Sequence, residues 1–241
     1  MDFYRCYLLA KLDLHFNFSN VDMMIYHNDC MYISHFCLFG LSAISIGEQR
    51  IALAGIAFRK AANEIFRQQV TYNGQILLKL IAETKGFDLY SKQRYEVVVK
   101  AVSNTVGHLR ATSSAWLGAL PLNMHHVCMG QLIEVASGYL NEYFERLGDI
   151  SEDACTKLHA LLGTFTDIVE CFGNCATVYT AEEYDLFKVF WMLLKWSLSD
   201  ILGHFRDGKL KAISSKQLVR MIEGLFAESA MRRSAICEIL K

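Results

Sequence analysis

From residue 48 onward, the apolar positions Ile51, Phe58, Ala62, Ile65, Tyr72, Ile76 and Leu80 recur close to every 3.6 residues. That spacing predicts a long helix over 48–85, stopped by Gly86 and with Asn73-Gly74 as its bending point. Tyr95, Val98, Val102, Val106, Leu109, Trp116 and Leu120 continue the rhythm in a third helix, led in by Ser91 and ended by Pro121. Beyond the proline, Met124, Cys128, Leu132, Val135, Tyr139 and Tyr143 mark a fourth. Ser151, followed by Glu152 and Asp153, is a strong helix start, because a hydroxyl can cap free amides and acids suit the positive end of the helix dipole. The core face of this fifth helix is Leu158, Leu161, Leu162, Phe165, Ile168 and Phe172, and 173–179 read as a loop. Thr180 and Glu183 have capping-box spacing for a sixth helix, which contains the almost wholly apolar run 189–196 and ends near 206–208. Ser214 and Gln217 offer the same device to a seventh bearing Leu218, Met221, Ile222 and Leu225. A short last helix places Ala235, Ile236, Ile239 and Leu240 inside and Arg232 and Arg233 outside.

The first of these helices breaks the rhythm. Ser19 and Asp22 have cap-like spacing and Gly40 is a natural stop, yet polar residues occur all around the circumference between them. At 100° per residue, Asn28 and His35 share one face, His27 and Ser34 another, and Asp29 a third. A helix on a free surface would segregate such residues. The pattern predicts a central helix covered on several sides, with Asn28, Asp29 and His35 forming an internal polar network between helices.

About eight helices joined by short turns make an all-α chain of elongated antiparallel bundles. With one proline and few alternating segments, the sequence has too little turn punctuation for sheets. The expected organisation is a remnant of an upstream helix over 1–18, a middle bundle over 19–147 and a C-terminal bundle over 148–241. Residues 41–47 have no clear pattern.

Composition adds an interface. Hydrophobic residues reach 53% and charged residues 20%, so disorder is excluded and some apolar surface must remain outside. A net charge of −1 gives no general attraction to nucleic acid, but it conceals a dipole. Residues 141–185 carry ten acids against Arg146 and Lys157, whereas 206–241 carry eight basic residues against four acids. The eight cysteines form no CxxC pair and sit mostly at apolar helical positions, as reduced core thiols do. Neither a signal peptide nor an apolar run of about 20 residues occurs, which points to a cytoplasmic protein.

Chemistry is harder to find. There is no GxSxG elbow, Walker loop or GxGxxG, and His108, His159 and His204 lie far apart. His27, Asp29, Cys30 and His35 do not have the spacing of one tetrahedral centre on a single helix. No catalytic residue, cofactor or metal site is expected. Trp191 and Trp196 point to different sides of their helix and, with Arg232 and Arg233, form the expected partner interface, since tryptophan and arginine concentrate where interfaces carry their energy.

Three stretches together resemble one family. The first runs from Tyr26 to His35; the second is Leu120-Pro121-Leu122-Asn123 with Met129-Gly130, Leu132 and Asp149-Ile150-Ser151. The third is Asp207-Gly208-Lys209 through Ser214-Ser215, Val219, Ile222, Leu225-Phe226 and Arg232-Arg233. In order and spacing they are similar to the C-terminal part of the zeste-white ten centromere/kinetochore family, from which residues 41–54 depart. Members are much longer, so the chain is expected to be a fragment, a truncated gene model or a reduced paralogue.

The resemblance implies a non-enzymatic scaffold with the stacked helical bundles of tethering proteins. It implies membership of the Rod–Zwilch–zeste-white ten kinetochore complex, which recruits dynein for the spindle checkpoint and chromosome segregation. It also implies the endoplasmic reticulum tether that receives Golgi vesicles with SNARE proteins. The direct partner would be a Rod-like or neuroblastoma-amplified-protein-like α-solenoid, with Zwilch and dynein adaptors reached indirectly. Nucleic acid would not be touched directly, membranes would be reached only through partners, and the chain would move between the endoplasmic reticulum in interphase and the kinetochore in mitosis. One alternative is a tethering subunit without a mitotic role; another, from a different class, is a small metal-dependent helical enzyme around His27, Asp29 and His35.

Overall fold

A computed structural model describes residues 20–40, 48–87, 92–169, 172 and 179–241, and these form an all-α chain. Its helices are α1 Asn20–His35, closed by a π-helical turn Phe36–Gly40, then α2 Glu48–Ala82, α3 Lys92–Leu117, α4 Leu122–Glu145 and α5 Glu152–Thr166. They are followed by α6 Glu182–Leu193, α7 Leu198–Arg206, α8 Ser215–Leu225 and α9 Ala230–Ile239. The expected upstream helix over 1–18, the caps at Ser19 and Ser91, the segment 41–47, most of the loop at 173–179 and cysteines 6, 171 and 175 lie outside the described residues.

Two compact units emerge, and their boundaries are not the turn at 147–148 expected from the sequence. One takes Met1–Asn73 and Ala111–His125, the other Gly74–Arg110 and His126–Lys241. The divisions fall inside α2, α3 and α4, helices of 35, 26 and 24 residues, each long enough to give side chains to two cores. In the first unit Met23 and Cys30 of α1 pack with Phe58, Ala62 and Ile65 of α2, and Trp116 and Leu120 are buried as well. The second unit has an aromatic core: Phe144 of α4 stacks on Phe190 of α6 at 5.2 Å, and Phe165 of α5 meets Phe187 of α6 edge-on at 5.0 Å.

Local starts follow the sequence in most places. Ser151 accepts from the Ala154 amide, and Ser214 and Gln217 form the expected capping box. Two expectations are corrected at the sixth helix. It is split, because Ser197 and Asp200 make a capping box of their own that ends α6 at Leu193 and starts α7. Nor does Thr180 cap α6: Ala181 occupies the cap position without a side-chain bond, and the Glu134 carboxylate of α4 accepts from the amides of Ala181 at 2.6 Å, Glu183 at 3.0 Å and Tyr184 at 3.3 Å. A carboxylate on three free amides at the positive end of a helix satisfies donors that a serine or threonine would otherwise take. Close by, a Cβ at Gly130 would lie 2.1 Å from the Tyr179 carbonyl oxygen, so only glycine lets α4 approach that backbone.

Candidate functional site

The unusual composition of α1 resolves into two stripes. Met23, His27, Cys30, Ser34 and Cys37, spaced four, three, four and three, are all buried. Ile25, Asp29, Tyr32, Phe36 and Phe39, with the same spacing, are all exposed, Tyr32 at 74% and Phe39 at 62%. The helix is therefore apolar on its open side as well as its covered one: Met23, Cys30 and Cys37 share the buried stripe with His27 and Ser34, and four large apolar residues face outward around one aspartate. This corrects the expectation of a helix covered on several sides, since only one of its stripes is buried.

The expected network is corrected too. Asn28 donates from Nδ2 to the Ala119 carbonyl beyond the end of α3, but Asp29 and His35 are exposed, and the ring contact of His35 is with Phe39 at 4.9 Å. The buried polar anchor is instead His27, whose Nδ1 donates to the Ala62 carbonyl at 2.9 Å while its ring lies 5.6 Å from that of Phe66. Because Ala62 offers only a carbonyl oxygen, the proton must sit on Nδ1 in this contact. The Ser34 hydroxyl is buried without a partner. Sequence reading gave weight to Asn28, Asp29 and His35 as the most polar-looking positions; the four-three spacing of apolar and polar residues alike was the signal that separated the two faces.

Of the expected interface residues, two are engaged internally. Trp191 donates its indole N–H to the His159 carbonyl at 2.8 Å and stacks on that imidazole at 4.7 Å. Burial, with a smaller contribution from nearby Lys195, holds the His159 imidazolium below its usual pKa. Arg232 does not lie outside. Its side chain is only 16% exposed and donates to the carbonyls of Glu223 at 3.1 Å and Phe226, the end of α8, while pairing with Glu228. Trp196 is half-buried against His204, and Arg233 is 71% exposed with Glu228 3.6 Å away. The four residues thus divide into two that hold the fold and two that keep open surface.

No group of three or more His, Cys, Asp or Glu side chains among the described residues could hold a metal, and no described helix is long and apolar enough to cross a membrane. His125 bonds with Ser113, while His126 packs edge-on against Phe172 and Tyr179. Cys30, Cys37, Cys128 and Cys155 are buried, and Cys237 is exposed. Burial, reinforced by the charge of Asp29, pushes the Cys30 thiol up to about 11; burial pushes that of Cys128 to about 12. These are unreactive core thiols.

Residues 100–239, more than half of the chain, match the ZW10 C-terminal helical domain. The chain belongs to this family. Two similar relatives are the centromere/kinetochore protein zw10 homologs of Mus musculus and Rattus norvegicus, 26% and 25% identical over 245 residues. Each alignment covers 89% of this chain and 31% of the relative, so the chain spans about a third of the length of these proteins. The matched part of the ZW10 domain includes α4 to α9 whole, and with them the Glu134 cap and the Arg232 cluster; the two stripes of α1 lie upstream of it.

Proposed function

We propose that the chain is a non-enzymatic docking scaffold whose α1 receives an amphipathic helix of an α-solenoid partner. The exposed apolar stripe of α1 carries this reading. Its apolar positions recur at the alternating three- and four-residue spacing with which helices pack side by side, and Asp29 within the stripe would meet a basic residue of the partner. Exposed apolar stripes of this kind mark interaction surfaces. The partner would be of the Rod or neuroblastoma-amplified type, serving at the kinetochore in mitosis and in tethering Golgi-derived vesicles at the endoplasmic reticulum in interphase; the centromere/kinetochore names of the two relatives support the first of these sites. Zwilch, dynein adaptors and SNARE proteins would then be reached through that partner.

The test is capture of a Rod-like or neuroblastoma-amplified-protein-like partner by the chain and by its Tyr32→Glu/Phe36→Glu variant. Both positions are exposed, so the variant should keep its helicity and lose the partner. Capture by the variant at the parent level would remove α1 from the interface and return attention to Trp196 and Arg233. Following a fluorescently tagged chain through interphase and mitosis separates the two cellular roles: tethering alone predicts no kinetochore signal.

A further inference from the structure

Another open face lies on α2, turned away from α1. Gly55 abuts the turn that closes α1, where a Cβ would lie 2.9 Å from the Leu38 side chain, and the Ala62 carbonyl accepts from His27. Roughly 130° round the helix from these two positions, Gln49, Leu53, Ile56, Lys60 and Asn63 follow one another at spacings of four, three, four and three. All five are exposed, Leu53 at 65% and Ile56 at 45%. Arg50 and Arg59, exposed as well, stand on the two edges of this face.

The charge here is one-sided. Between Gln49 and Asn63, α2 holds three basic residues and no acid. None of Arg50, Arg59 and Lys60 makes an ion pair or hydrogen bond among the described residues. Glu64 stands four residues beyond Lys60, the spacing of a helical ion pair, yet it turns the other way: its two oxygens accept from Arg67 at 2.7 and 3.0 Å, and one of them also from Gln68 at 2.8 Å. Two large apolar side chains are thus left uncovered among three uncompensated cations. Covering the first removes apolar surface from water, and the second admit only a cover that brings acids with it.

We infer that this face of α2 docks an acidic amphipathic helix of a partner protein. The alternating three- and four-residue spacing is that of helices lying side by side. From Arg50 to Lys60 the face extends for roughly 15 Å, about three helical turns, so the partner segment carries apolar residues over Leu53 and Ile56 and acids on both flanks of them. A lipid surface is disfavoured, because interfacial binding scales with the apolar area buried and two side chains supply little of it. The face is separate from the exposed stripe of α1, in which the one charged residue is the acid Asp29, so the two faces call for segments of opposite charge.

The probe is an acetylated, amidated alanine-based helical peptide with leucines at three- and four-residue spacing and glutamates on either side of them, titrated into the full chain by NMR. Expected are saturable binding, shift changes centred on 49–63, and at least tenfold weaker binding to the Arg59→Glu/Lys60→Glu variant, whose circular dichroism should match the parent because both positions are exposed. The Lys211→Glu/Lys216→Glu variant, altered at cations elsewhere, and the Tyr32→Glu/Phe36→Glu variant of α1 should bind as the parent does. Equal weakening by Arg59→Glu/Lys60→Glu and Lys211→Glu/Lys216→Glu, undiminished binding of a peptide with glutamine for glutamate, or failure to saturate would each overturn the inference. Co-sedimentation with phosphatidylserine vesicles by a chain that leaves the peptide unbound would overturn it in favour of a lipid surface. A parent chain that captures its solenoid partner but ignores the peptide would overturn this face and leave the α1 scaffold standing; peptide binding without partner capture would support this face and overturn the scaffold.

Discussion

Replacing His27 by alanine should be the most damaging single change among the polar residues of α1. The imidazole is 3% exposed, so its removal takes away a buried hydrogen bond to Ala62, the contact with the Phe66 ring and the volume between α1 and α2. The hydrogen bond contributes about 1 kcal/mol net, the ring pair about 0.5–1 kcal/mol, and the unfilled space a further 1–2 kcal/mol or so. A loss of about 3 kcal/mol follows for His27→Ala. His27→Phe keeps the volume and the ring contact and should lose about 1 kcal/mol. Asn28→Ala should lose about 1 kcal/mol with its bond to Ala119. Asp29→Ala and His35→Ala should stay within about 0.5 kcal/mol of the parent, because both side chains are exposed. Urea unfolding followed by circular dichroism measures the series, and 5-fluorotryptophan NMR at buried Trp116 reports on the same unit as α1. If Asp29→Ala or His35→Ala proved as costly as His27→Ala, the two-stripe description of α1 would be wrong.

Other consequences can be measured directly. Glu134→Ala should destabilise the second unit by about 1–2 kcal/mol and speed amide exchange at Ala181, Glu183 and Tyr184, whose cap it removes. Gly130→Ala should cost at least 1–3 kcal/mol in urea unfolding because its Cβ would collide with the Tyr179 backbone, whereas Gly107→Ala, with nothing within 4 Å, should stabilise α3 by roughly 0.5–1 kcal/mol. Arg232→Ala should lower stability by about 1–3 kcal/mol and Arg233→Ala by less than about 0.5 kcal/mol, so a reversal of both residues would report on folding as well as docking. Burial holds His159 below the ordinary imidazole pKa, so the unfolded chain takes up its proton first. Stability should be fully present above about pH 6.5 and fall as the pH drops through the folded value, and His159→Gln should flatten that slope in pH-dependent unfolding.

Sequence periodicity makes most helices legible because their core faces are largely apolar, as in α5, where Cys155, Leu158, Leu162 and Phe165 are buried. It failed where side chains from elsewhere decide. The break before α7 depends on Ser197 and Asp200, which lie directly after an apolar run that alone favours continuing the helix. The start of α6 depends on Glu134, and a cap donated from another helix leaves no trace at the site it caps. In α1 the spacing is visible, but both stripes mix apolar and polar residues, so residue type alone does not say which of them is covered. Trp191 and Arg232 looked like interface residues by type; their engagement with backbone carbonyls is a matter of tertiary placement that composition does not encode.

Glu134 also bears on the order in which the chain can acquire structure during synthesis. The carboxylate leaves the ribosome 47 residues ahead of the first amide it will cover, at a stage when α4 can already exist. Once residues 181–184 emerge, their waiting acceptor can fix where the next helix begins, without a capping residue in the intervening chain. Substitutions in that intervening stretch therefore need not displace the start of α6, and a change at Glu134 should retard its formation rather than merely hasten its loss.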